Sequence, residues 1–360
     1  MSPLLFQPIT LRDLTIKNRV WVAPMCQYSV EEQDGVPTDW HLVHLGAFAQ
    51  GGFGLVLSEA TAVSPEGRIS PQDTGLWNDE QVTAWHRITD FAHSQGAAIG
   101  VQLAHAGRKA STLRGFPGEP SGIASAEQGG WPVVGPSALA FDGLLEPTAL
   151  DESGLDKVVD DFRAAALRAK SAGFDVVEVH AAHGYLLHQF LSPLSNQRTD
   201  EYGGDFDNRI RLLLRVVDAV REVWTSALFV RLSATDWVPG QGWDEDQSVE
   251  LSRHLREHGV DLVDVSTGGN VRASIPVGPG YQVRFAEAIR QQAEVPTGAV
   301  GLITEPVQAE QLLVDGQADV VLLARAALRE PHWPQRAAHE LGLPASETPY
   351  PPQHVRGAWA

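Results

Sequence analysis

Eight short apolar runs recur along this sequence, and they limit its possible folds more than any other feature does. The runs are rich in valine, isoleucine and leucine, and longer segments with helical spacing separate them. Strands that are apolar on both faces and alternate with amphipathic helices are typical of a parallel sheet covered by helices. The runs lie near residues 19–25, 54–60, 98–106, 175–183, 228–234, 261–269, 297–303 and 319–326.

The helical segments between the runs have recognisable ends. One is predicted to start at Asp39 and to stop at Gly51 and Gly52. Another is predicted to follow Asn78, because asparagine is a favoured residue at the position before a helix. Eight units of this kind favour a closed barrel, although an open doubly wound sheet is the competing fold.

The residues at the strand ends help to choose between these two folds. Barrel enzymes build their sites at the carboxyl ends of the strands, and the two longest interruptions, 106–150 and 184–205, also follow strand ends. We therefore predict a (β/α)8 TIM barrel, a single domain over residues 1–360 with long loops at the C-terminal face. The strand-end residues expected to converge there are Met25, Cys26, Glu59, Gln102, His180, Arg231, Ser266, Gly301 and Arg325.

Composition excludes several classes of partner. The formal net charge of −18 gives no basic field for nucleic acid or an anionic membrane surface. A single cysteine, Cys26, excludes intramolecular disulfides and four-cysteine zinc or iron–sulfur sites, and it fits a reducing compartment. No run approaches 18 apolar residues, and the N-terminus lacks a signal-like core. We expect a cytoplasmic protein that acts on a small molecule.

Familiar nucleotide-binding motifs do not occur. GGFG at 51–54 precedes a strand, GQGW at 240–243 lacks the third glycine, and no GxxxxGK sequence is present. A phosphorylated cofactor would therefore bind at the seventh and eighth strand ends, where Gly301 and Arg325 stand. Glycine allows close approach of backbone N–H groups, and a guanidinium matches phosphate oxygens. The alternative for Arg325 is an ion pair with a surface carboxylate.

The segment VEVHAAHGYLLHQFL, residues 177–191, contains the residues best suited to catalysis. His180 and His183 do not form the HExxH pattern of zinc proteases, so a metal site has little support. Two neighbouring imidazoles can instead donate N–H groups to one carbonyl oxygen and stabilise its developing negative charge. Tyr185 stays protonated at neutral pH and can deliver a proton to the adjacent carbon. His188 is assigned to a structural role.

Longer motifs carry a family resemblance. They are HAAHGYLLHQFLSPLSNQRTDEYGGDFDNRIRLLL at 180–214, PMCQY at 24–28, RLSATD at 231–236 and GLIT at 301–304. With these motifs the chain resembles the old yellow enzyme family of FMN-dependent ene-reductases over nearly its whole length. The resemblance implies a barrel that holds FMN non-covalently and takes electrons from NADPH or NADH. It also implies reduction of the C=C bond of α,β-unsaturated carbonyl compounds by a ping-pong mechanism.

The resemblance assigns residue roles. His180 and His183 match the pair that holds the carbonyl oxygen, and Tyr185 matches the proton donor. Arg231 matches the residue near N1 of the flavin. The remaining cofactor contacts implied are the first-strand segment Ala23, Pro24, Met25 and Cys26, the ring-edge residues Ala60 and Gln102, and the phosphate residues Gly301, Ala324 and Arg325. Ala324 stands where many relatives have glycine.

Cys26 and the C-terminal tail resemble one branch of that family, often called thermophilic-like. In that branch the thiol tunes the flavin potential and contacts substrate, an aromatic residue stands two positions later, and a tail arginine enters the neighbouring subunit's site. The resemblance therefore implies that Cys26 and Tyr28 both bind substrate. Arg356 in HVRGAW offers a tail arginine of this kind. The resemblance therefore implies that the tail, 346–360, lies at the interface of a homodimer or dimer-based tetramer.

Three alternatives stay open at this point. The chain could be another FMN barrel dehydrogenase or oxidase, a flavin-binding protein without turnover, or a metal-dependent barrel hydrolase. Enones, quinones, maleimides and nitro compounds are all plausible acceptors.

Overall fold

The computed structural model describes residues 2–359, so residues 1 and 360 of the predicted domain lie outside the described part. Fourteen strands occur within that part. In chain order they are Ile9–Leu11 (β1), Leu14–Ile16 (β2), Val20–Val22 (β3), Leu55–Ala62 (β4), Ala98–Ala104 (β5), Thr112–Arg114 (β6), Ser121–Ile123 (β7), Val134–Gly135 (β8), Thr148–Ala149 (β9), Val176–Ala181 (β10), Ala227–Ser233 (β11), Leu262–Ser266 (β12), Thr297–Ala299 (β13) and Val320–Leu323 (β14).

Helices follow the long strands. Within residues 2–359 the α-helices are Asp39–Gln50 (α1), Asp79–Ser94 (α2), Glu152–Ser171 (α3), Leu186–Leu191 (α4), Phe206–Val223 (α5), Glu245–Glu257 (α6), Val283–Ala293 (α7), Pro306–Val314 (α8), Arg325–Arg329 (α9) and Trp333–Glu340 (α10). Short 3-10 turns occur at Leu4–Phe6, Pro65–Gly67, Gly107–Lys109, Ala126–Gln128 and Val355–Gly357.

Eight of the strands close into a barrel, in the order β3, β4, β5, β10, β11, β12, β13, β14. All neighbouring pairs are parallel, and β14 returns to pair with β3. Each of these strands overlaps one of the eight predicted apolar runs. The predicted (β/α)8 TIM barrel is confirmed, and the open sheet is wrong.

Apolar side chains fill the lower half of the barrel interior, which is the half nearest the amino ends of the strands. Trp21 and Phe229 stack there, with ring centroids 5.8 Å apart and nearly parallel planes. Leu55, Leu262 and Val320 belong to the same buried cluster. Because large apolar side chains occupy the lower layers, polar inward-facing residues are confined to the upper layers at the carboxyl ends of the strands.

The predicted helix boundaries are close to those observed. Asn78 precedes α2, and its side chain accepts a hydrogen bond from Gln81 N at 3.0 Å, as predicted. α1 begins at Asp39 and stops before Gly51, both as predicted, and its capping residue is Thr38. The hydroxyl of Thr38 accepts from Trp40 N at 3.3 Å.

Long loops lie at the carboxyl face. The 106–150 insertion contains the antiparallel pair β6–β7 and the short pair β8–β9. A register shift between Leu57 and Ala60, where β4 pairs with β5, marks a bulge beside the pocket. None of the helices within residues 2–359 is both long and apolar enough to cross a bilayer.

Candidate active site

Three aromatic rings from the end of β10 and the turn that follows it meet at the mouth of the barrel. The ring centroid of His180 lies 5.2 Å from that of His183 and 5.1 Å from that of Tyr185, and both pairs are nearly perpendicular. His180 is the inward-facing residue near the end of β10, and Tyr185 immediately precedes α4. The structure therefore brings together the two imidazoles and the phenol that the sequence singled out.

The backbone around His183 is held in an unfavourable conformation. Its φ of 58° lies in the left-handed region, which a residue with a side chain seldom adopts. Ser233 Oγ accepts a hydrogen bond from His183 N at 2.9 Å. Lys109 Nζ donates to the carbonyl oxygens of His183 and Gly269, at 2.7 and 2.9 Å. These contacts stabilise a turn that would otherwise relax and swing the imidazole away from the pocket.

Gly184 allows two loops to cross at this turn. Its φ is +73°, and a Cβ there would lie 2.2 Å from the carbonyl oxygen of Gly269. Gly184 N donates to Nδ1 of His188 at 2.9 Å, and Nε2 of His188 faces Asp236 Oδ1 at 3.1 Å. His188 is fully buried and, as expected, plays a structural part: it ties the turn between His183 and Tyr185 to a residue beyond β11.

Asp236 is itself held by several donors. Its Oδ2 accepts from Ser192 Oγ at 2.5 Å and from Trp243 N at 2.9 Å. Burial opposes ionisation of this carboxyl, but the hydrogen bonds from His188, Ser192 and Trp243 lower its pKa below the ordinary value. A carboxylate at this position anchors the turn between His183 and Tyr185.

Both imidazoles of the mouth are neutral. Burial, followed by the positive charge of Arg231, lowers the pKa of His180 and of His183 well below the usual value. Nδ1 of His180 accepts from Ala182 N at 3.2 Å, so the proton of that ring is on Nε2. Nε2 of His183 lies 2.8 Å from Ser266 Oγ, at the end of β12. Each ring can offer one N–H to a ligand.

Tyr185 keeps its proton. Burial raises the pKa of its phenol well above the usual value, and the neighbouring Cys26 and Asp73 raise it further. Burial and the carboxyls of Asp73 and Glu59 likewise raise the pKa of the Cys26 thiol. Tyr28, which has a φ of 50°, packs with Cys26 and Tyr185 in one small cluster. This side of the pocket therefore carries protonated, uncharged donors.

The segment after β3 is supported from below. Glu59 lies in the β4 bulge and accepts from Gln27 N at 2.9 Å, and its other oxygen faces Nε2 of His41 at 3.1 Å. Nδ1 of His41 in turn accepts from Thr38 N at 2.8 Å. Ala23 N continues the barrel ladder by donating to Leu323 O at 2.9 Å. These bonds fix the Pro24–Tyr28 segment that lines the pocket.

Polar side chains form the floor of the pocket above the apolar layers. Gln102 Nε2 donates to Glu178 Oε1 at 2.8 Å, and Arg231 Nε faces Asp264 Oδ2 at 3.0 Å. All four residues are at most 5% exposed. The pairing through Nε leaves the two terminal nitrogens of Arg231 available at the mouth.

A separate cavity of about 170 Å³ lies where β13 and β14 end. Gly301, Ala324 and Arg325 line it together with Arg329, so the three predicted phosphate residues are adjacent. Gly301 has a φ of +125°, and a Cβ there would lie 3.0 Å from Gln282 Nε2 and 3.2 Å from Tyr281. Arg325 is exposed and forms no ion pair with a carboxylate in the described part of the chain, which argues against the surface-pair alternative.

These residues suit an FMN molecule in their chemistry. The phosphate end offers the exposed guanidinium of Arg325 and the backbone of Gly301, which carries no side chain of its own. The floor offers the amide of Gln102 and the guanidinium of Arg231, which match the polar edge of a flavin ring. No group of three or more His, Cys, Asp or Glu side chains within residues 2–359 is arranged to hold a metal ion.

Two site residues stand apart from the sequence expectations. Arg356 is exposed in the 3-10 turn Val355–Gly357, and it is not among the residues lining the pocket of its own chain. Lys109 was not predicted, although it touches the catalytic turn and lies 5.0 Å from the Tyr185 ring centroid. The one sequence signal for Lys109 was its rarity, because the chain has only four lysines.

Comparison with known proteins covers almost the whole chain. A profile of the NADH:flavin oxidoreductase / NADH oxidase family matches residues 4–343. An NADPH dehydrogenase of Geobacillus thermodenitrificans is 48% identical over 358 residues, 99% of both chains. Morphinone reductase gives a TM-score of 0.78 at 32% identity, covering 98% of this chain and 94% of its own. The old yellow enzyme homologue of Zymomonas mobilis gives 0.77 at 30%, covering 99% and 100%.

Proposed function

The chain belongs to the NADH:flavin oxidoreductase / NADH oxidase family, and from that premise we propose that it is an ene-reductase. It is an oxidoreductase that uses FMN and a nicotinamide nucleotide. The proposed reaction is reduction of the C=C bond of an α,β-unsaturated carbonyl compound. The observation that carries this proposal is the convergence of two neutral imidazoles and a protonated phenol above a polar floor.

His180 and His183 bind the carbonyl oxygen in this proposal. His180 donates from Nε2, because its Nδ1 already accepts from Ala182 N. The Ser266 hydroxyl lies 3.4 Å from Gln282 Oε1, which already accepts from Thr267 Oγ1 at 2.6 Å, and only 2.8 Å from Nε2 of His183, so we assign its proton to the shorter contact with His183. The proton of His183 is then on Nδ1. Two donors on one oxygen polarise the conjugated system and stabilise charge that develops on that oxygen.

Tyr185 delivers a proton to the α-carbon. Its raised pKa keeps the phenol protonated until the substrate carbon becomes basic. FMN, when bound, supplies a two-electron carrier that NADPH or NADH reduces and the unsaturated compound reoxidises. After proton transfer the phenolate lies beside the ammonium of Lys109, 5.0 Å from the ring centroid, which favours its transient charge.

The remaining predicted residues take supporting roles. Met25 and Cys26 line the flavin together with Ala23 and Pro24, and the raised pKa of the Cys26 thiol favours tuning of the cofactor over nucleophilic attack. Tyr28 contacts the substrate from the same segment. Ala60, Gln102 and Arg231 meet the ring edge, and Gly301, Ala324 and Arg325 hold the phosphate.

One pocket serves both half-reactions in this proposal. The nicotinamide nucleotide and the unsaturated compound bind in turn at the same mouth, which predicts ping-pong kinetics. A family that binds nicotinamide in this way needs no Rossmann motif, and none occurs in the sequence. Enones, quinones and nitro compounds are the expected acceptors, and a cytoplasmic location is expected from the single cysteine.

The proposal extends to the quaternary structure. Arg356 is exposed in the tail, where it is free to enter the pocket of a second copy. We expect a homodimer or a dimer-based tetramer in which 346–360 lies at the interface. Removal of residues 346–360 should then weaken both self-association and substrate binding. Gel filtration that gives only monomer for the full chain would exclude this shared site.

The test of the main proposal is an anaerobic visible spectrum. The purified protein should show flavin bands that bleach with one equivalent of NADPH and return when cyclohex-2-enone is added. A flavin that NADPH bleaches but no enone, quinone or nitro compound restores would identify a different FMN barrel enzyme. A flavin that NADPH does not bleach would indicate a binding protein. A colourless protein that takes up no added FMN would overturn the cofactor assignment.

A further inference from the structure

Three ionisable side chains are buried together in the floor of the pocket. Glu178 and Asp264 have no exposed surface, and Arg231 is 5% exposed. They lie on β10, β12 and the strand between them, β11, and all face the barrel interior. We refer to Glu178, Arg231 and Asp264 as the floor triad. The catalytic roles proposed above use only Arg231, so the two carboxyls have no assigned purpose.

If both carboxyls of the floor triad are ionised, their oxygens need more hydrogen-bond donors than the surrounding residues supply. Asp264 faces Arg231 Nε at 3.0 Å, and one oxygen of Glu178 accepts from Gln102. The other oxygen of Glu178 and both oxygens of Asp264 find no well-aligned donor among the described residues. Carboxylates only accept hydrogen bonds, so two that face each other in a buried site repel unless one carries a proton.

A single proton satisfies this arrangement. A protonated Glu178 becomes a donor and can hydrogen-bond to Asp264, which remains ionised and paired with Arg231. The floor triad then has no net charge, as a buried cluster requires. Burial raises the pKa of Glu178, and the nearby Asp264 raises it further, which agrees with this order of charges.

We propose that Glu178 and Asp264 share one proton, and that this proton sets how much of the Arg231 charge acts on the flavin. The proposal rests on the proposed function, because it assumes FMN above the floor. Glu178 is a positioning residue, since it reaches the cofactor only through Asp264 and Arg231. With the proton present, the floor triad is neutral. Without it, the triad carries a net negative charge that disfavours added electrons on the cofactor.

The other titratable groups around the pocket differ from the floor triad in position or in charge. Asp73 and Glu59 lie on the Cys26 side, where burial also raises the pKa of Asp73, and Glu178→Gln leaves both of these carboxyls in place. Gln102, beside Glu178 on β5, is neutral. The imidazoles of His180 and His183 lie above the triad and are neutral, because burial and Arg231 lower their pKa values. Lys109 is beyond them, bonded to backbone carbonyls of the turn. The apolar layer with Trp21 and Phe229 lies below.

Reduction of the bound cofactor should therefore draw a proton into the floor triad at high pH. Electrons come from NADPH, or from dithionite in a titration, and the proton comes from solvent. The O–H bond of Glu178 forms on reduction and breaks on reoxidation. At high pH the triad holds this proton only when the flavin is reduced. In that range the midpoint potential of the flavin should fall by about 30 mV per pH unit in addition to its ordinary fall, as expected for one extra proton in a two-electron couple.

The experiment compares the holoenzyme with Glu178→Gln. The potential is measured from about pH 6 to about pH 10, with Glu222→Gln, an exposed carboxyl on α5, as the matched control. Glutamine has the shape of glutamic acid and keeps a donor for Asp264, but it does not titrate. Wild type and Glu222→Gln should show the steeper fall at high pH, and Glu178→Gln should not. Equal slopes in all three proteins would overturn the proposal.

A second measurement decides the matter if Glu178→Gln does not fold. This measurement is the infrared difference spectrum, reduced minus oxidised, of the wild-type holoenzyme. At neutral pH the carbonyl stretch of a buried protonated carboxyl should shift on reduction. At high pH the same stretch should appear on reduction. Absence of such a band at every pH would overturn the shared proton. If the protein binds flavin and turns over, but the slope of potential against pH is the same in wild type and Glu178→Gln, only this inference is wrong. If the protein binds no flavin, the proposed function is wrong as well.

Discussion

The part of the pocket around His180 and His183, where we propose that the carbonyl oxygen binds, is called the carbonyl end, and the part around Gly301 and Arg325, where we propose that phosphate binds, is called the phosphate end. The two ends differ in how far contacts within the protein fix their side chains. At the carbonyl end, Ser233, Lys109 and His188 all hydrogen-bond to the turn that carries His183. At the phosphate end, Arg325 is exposed, and no side chain fills the cavity beside Gly301. Hydrogen bonds within the protein fix the carbonyl end, whereas the phosphate end consists of an exposed guanidinium beside an open cavity.

This difference follows from what each end must do. A donor pair that stabilises developing charge has to be placed within a fraction of an ångström, and strained backbone such as His183 persists only when neighbouring groups hold it. A phosphate brings its own charge and three acceptor oxygens, so flexible cations can close around it. Substitutions at the carbonyl end should therefore change rates, and substitutions at the phosphate end should change cofactor affinity.

The largest effect is expected for Tyr185→Phe. Loss of the acid should slow reoxidation by cyclohex-2-enone about 10²- to 10⁴-fold. Bleaching by NADPH should keep its rate, because that step needs no proton from Tyr185. Stopped-flow absorbance measures the two steps separately, with Tyr202→Phe as the control, because the Tyr202 hydroxyl meets Arg215 on α5. Reoxidation at the wild-type rate would remove Tyr185 from the acid role.

His180→Ala should have the next largest effect. It removes one of the two donors to the carbonyl oxygen, which is worth on the order of 10²- to 10³-fold in rate at comparable sites. Binding of phenol, measured by its perturbation of the flavin spectrum, should weaken as well, while FMN content stays the same. The exposed His86, on α2, supplies the control His86→Ala. Unchanged phenol binding would contradict the donor assignment.

Arg325→Ala tests the other end of the comparison. Charge-assisted hydrogen bonds contribute about 1.5–3 kcal/mol, so the Kd for FMN should rise about 10- to 150-fold. At saturating FMN, the rate of reoxidation by enone should equal that of wild type. Fluorescence titration of the apoprotein measures the affinity, and Arg163→Ala on α3 is the control. If Arg325→Ala instead slowed reoxidation at saturating FMN and left the Kd for FMN unchanged, Arg325 would act on the rate and not on cofactor affinity, contrary to the proposal.

The smallest effect is expected from the protonation state of Lys109. Burial, and then the neighbouring Arg108, lower its pKa to about 8, so the ammonium loses its proton as the pH rises through that value. The bonds to His183 and Gly269 then lose their charge assistance, and the KM for cyclohex-2-enone should rise several-fold, as the loss of about 1 kcal/mol implies. Lys109→Met should show the high KM at every pH, and Lys170→Met should behave as wild type. A wild-type KM that stays constant across this range would exclude the role.

The sequence was sufficient wherever the decisive residues are neighbours in the chain. The eight strands were predictable because each is buried on both faces, and burial selects continuous apolar runs. His180, His183 and Tyr185 were predictable as a group because the end of β10 and the turn that follows it carry all three. The phosphate residues were predictable because barrel topology places the ends of β13 and β14 side by side.

Long-range contacts were not predictable in the same way. Lys109 reaches His183 across 74 residues, and Asp236 lies 44 residues from Ser192, so no local pattern signals either contact. The start of α1 at Asp39, by contrast, was predictable, because its cap is local: Thr38 N donates to Nδ1 of His41, three residues further on, at 2.8 Å.

Ionic strength should separate the two guanidinium groups of the pocket. Dissolved ions screen exposed charges over about 8–10 Å at physiological concentrations, but they scarcely reach a buried pair. Arg325 is exposed, whereas Arg231 and Asp264 are enclosed by the barrel wall. Added salt should therefore loosen the hold on the phosphate and leave the electron affinity of the flavin that stays bound unchanged. A cell under osmotic stress would lose cofactor occupancy before it lost driving force.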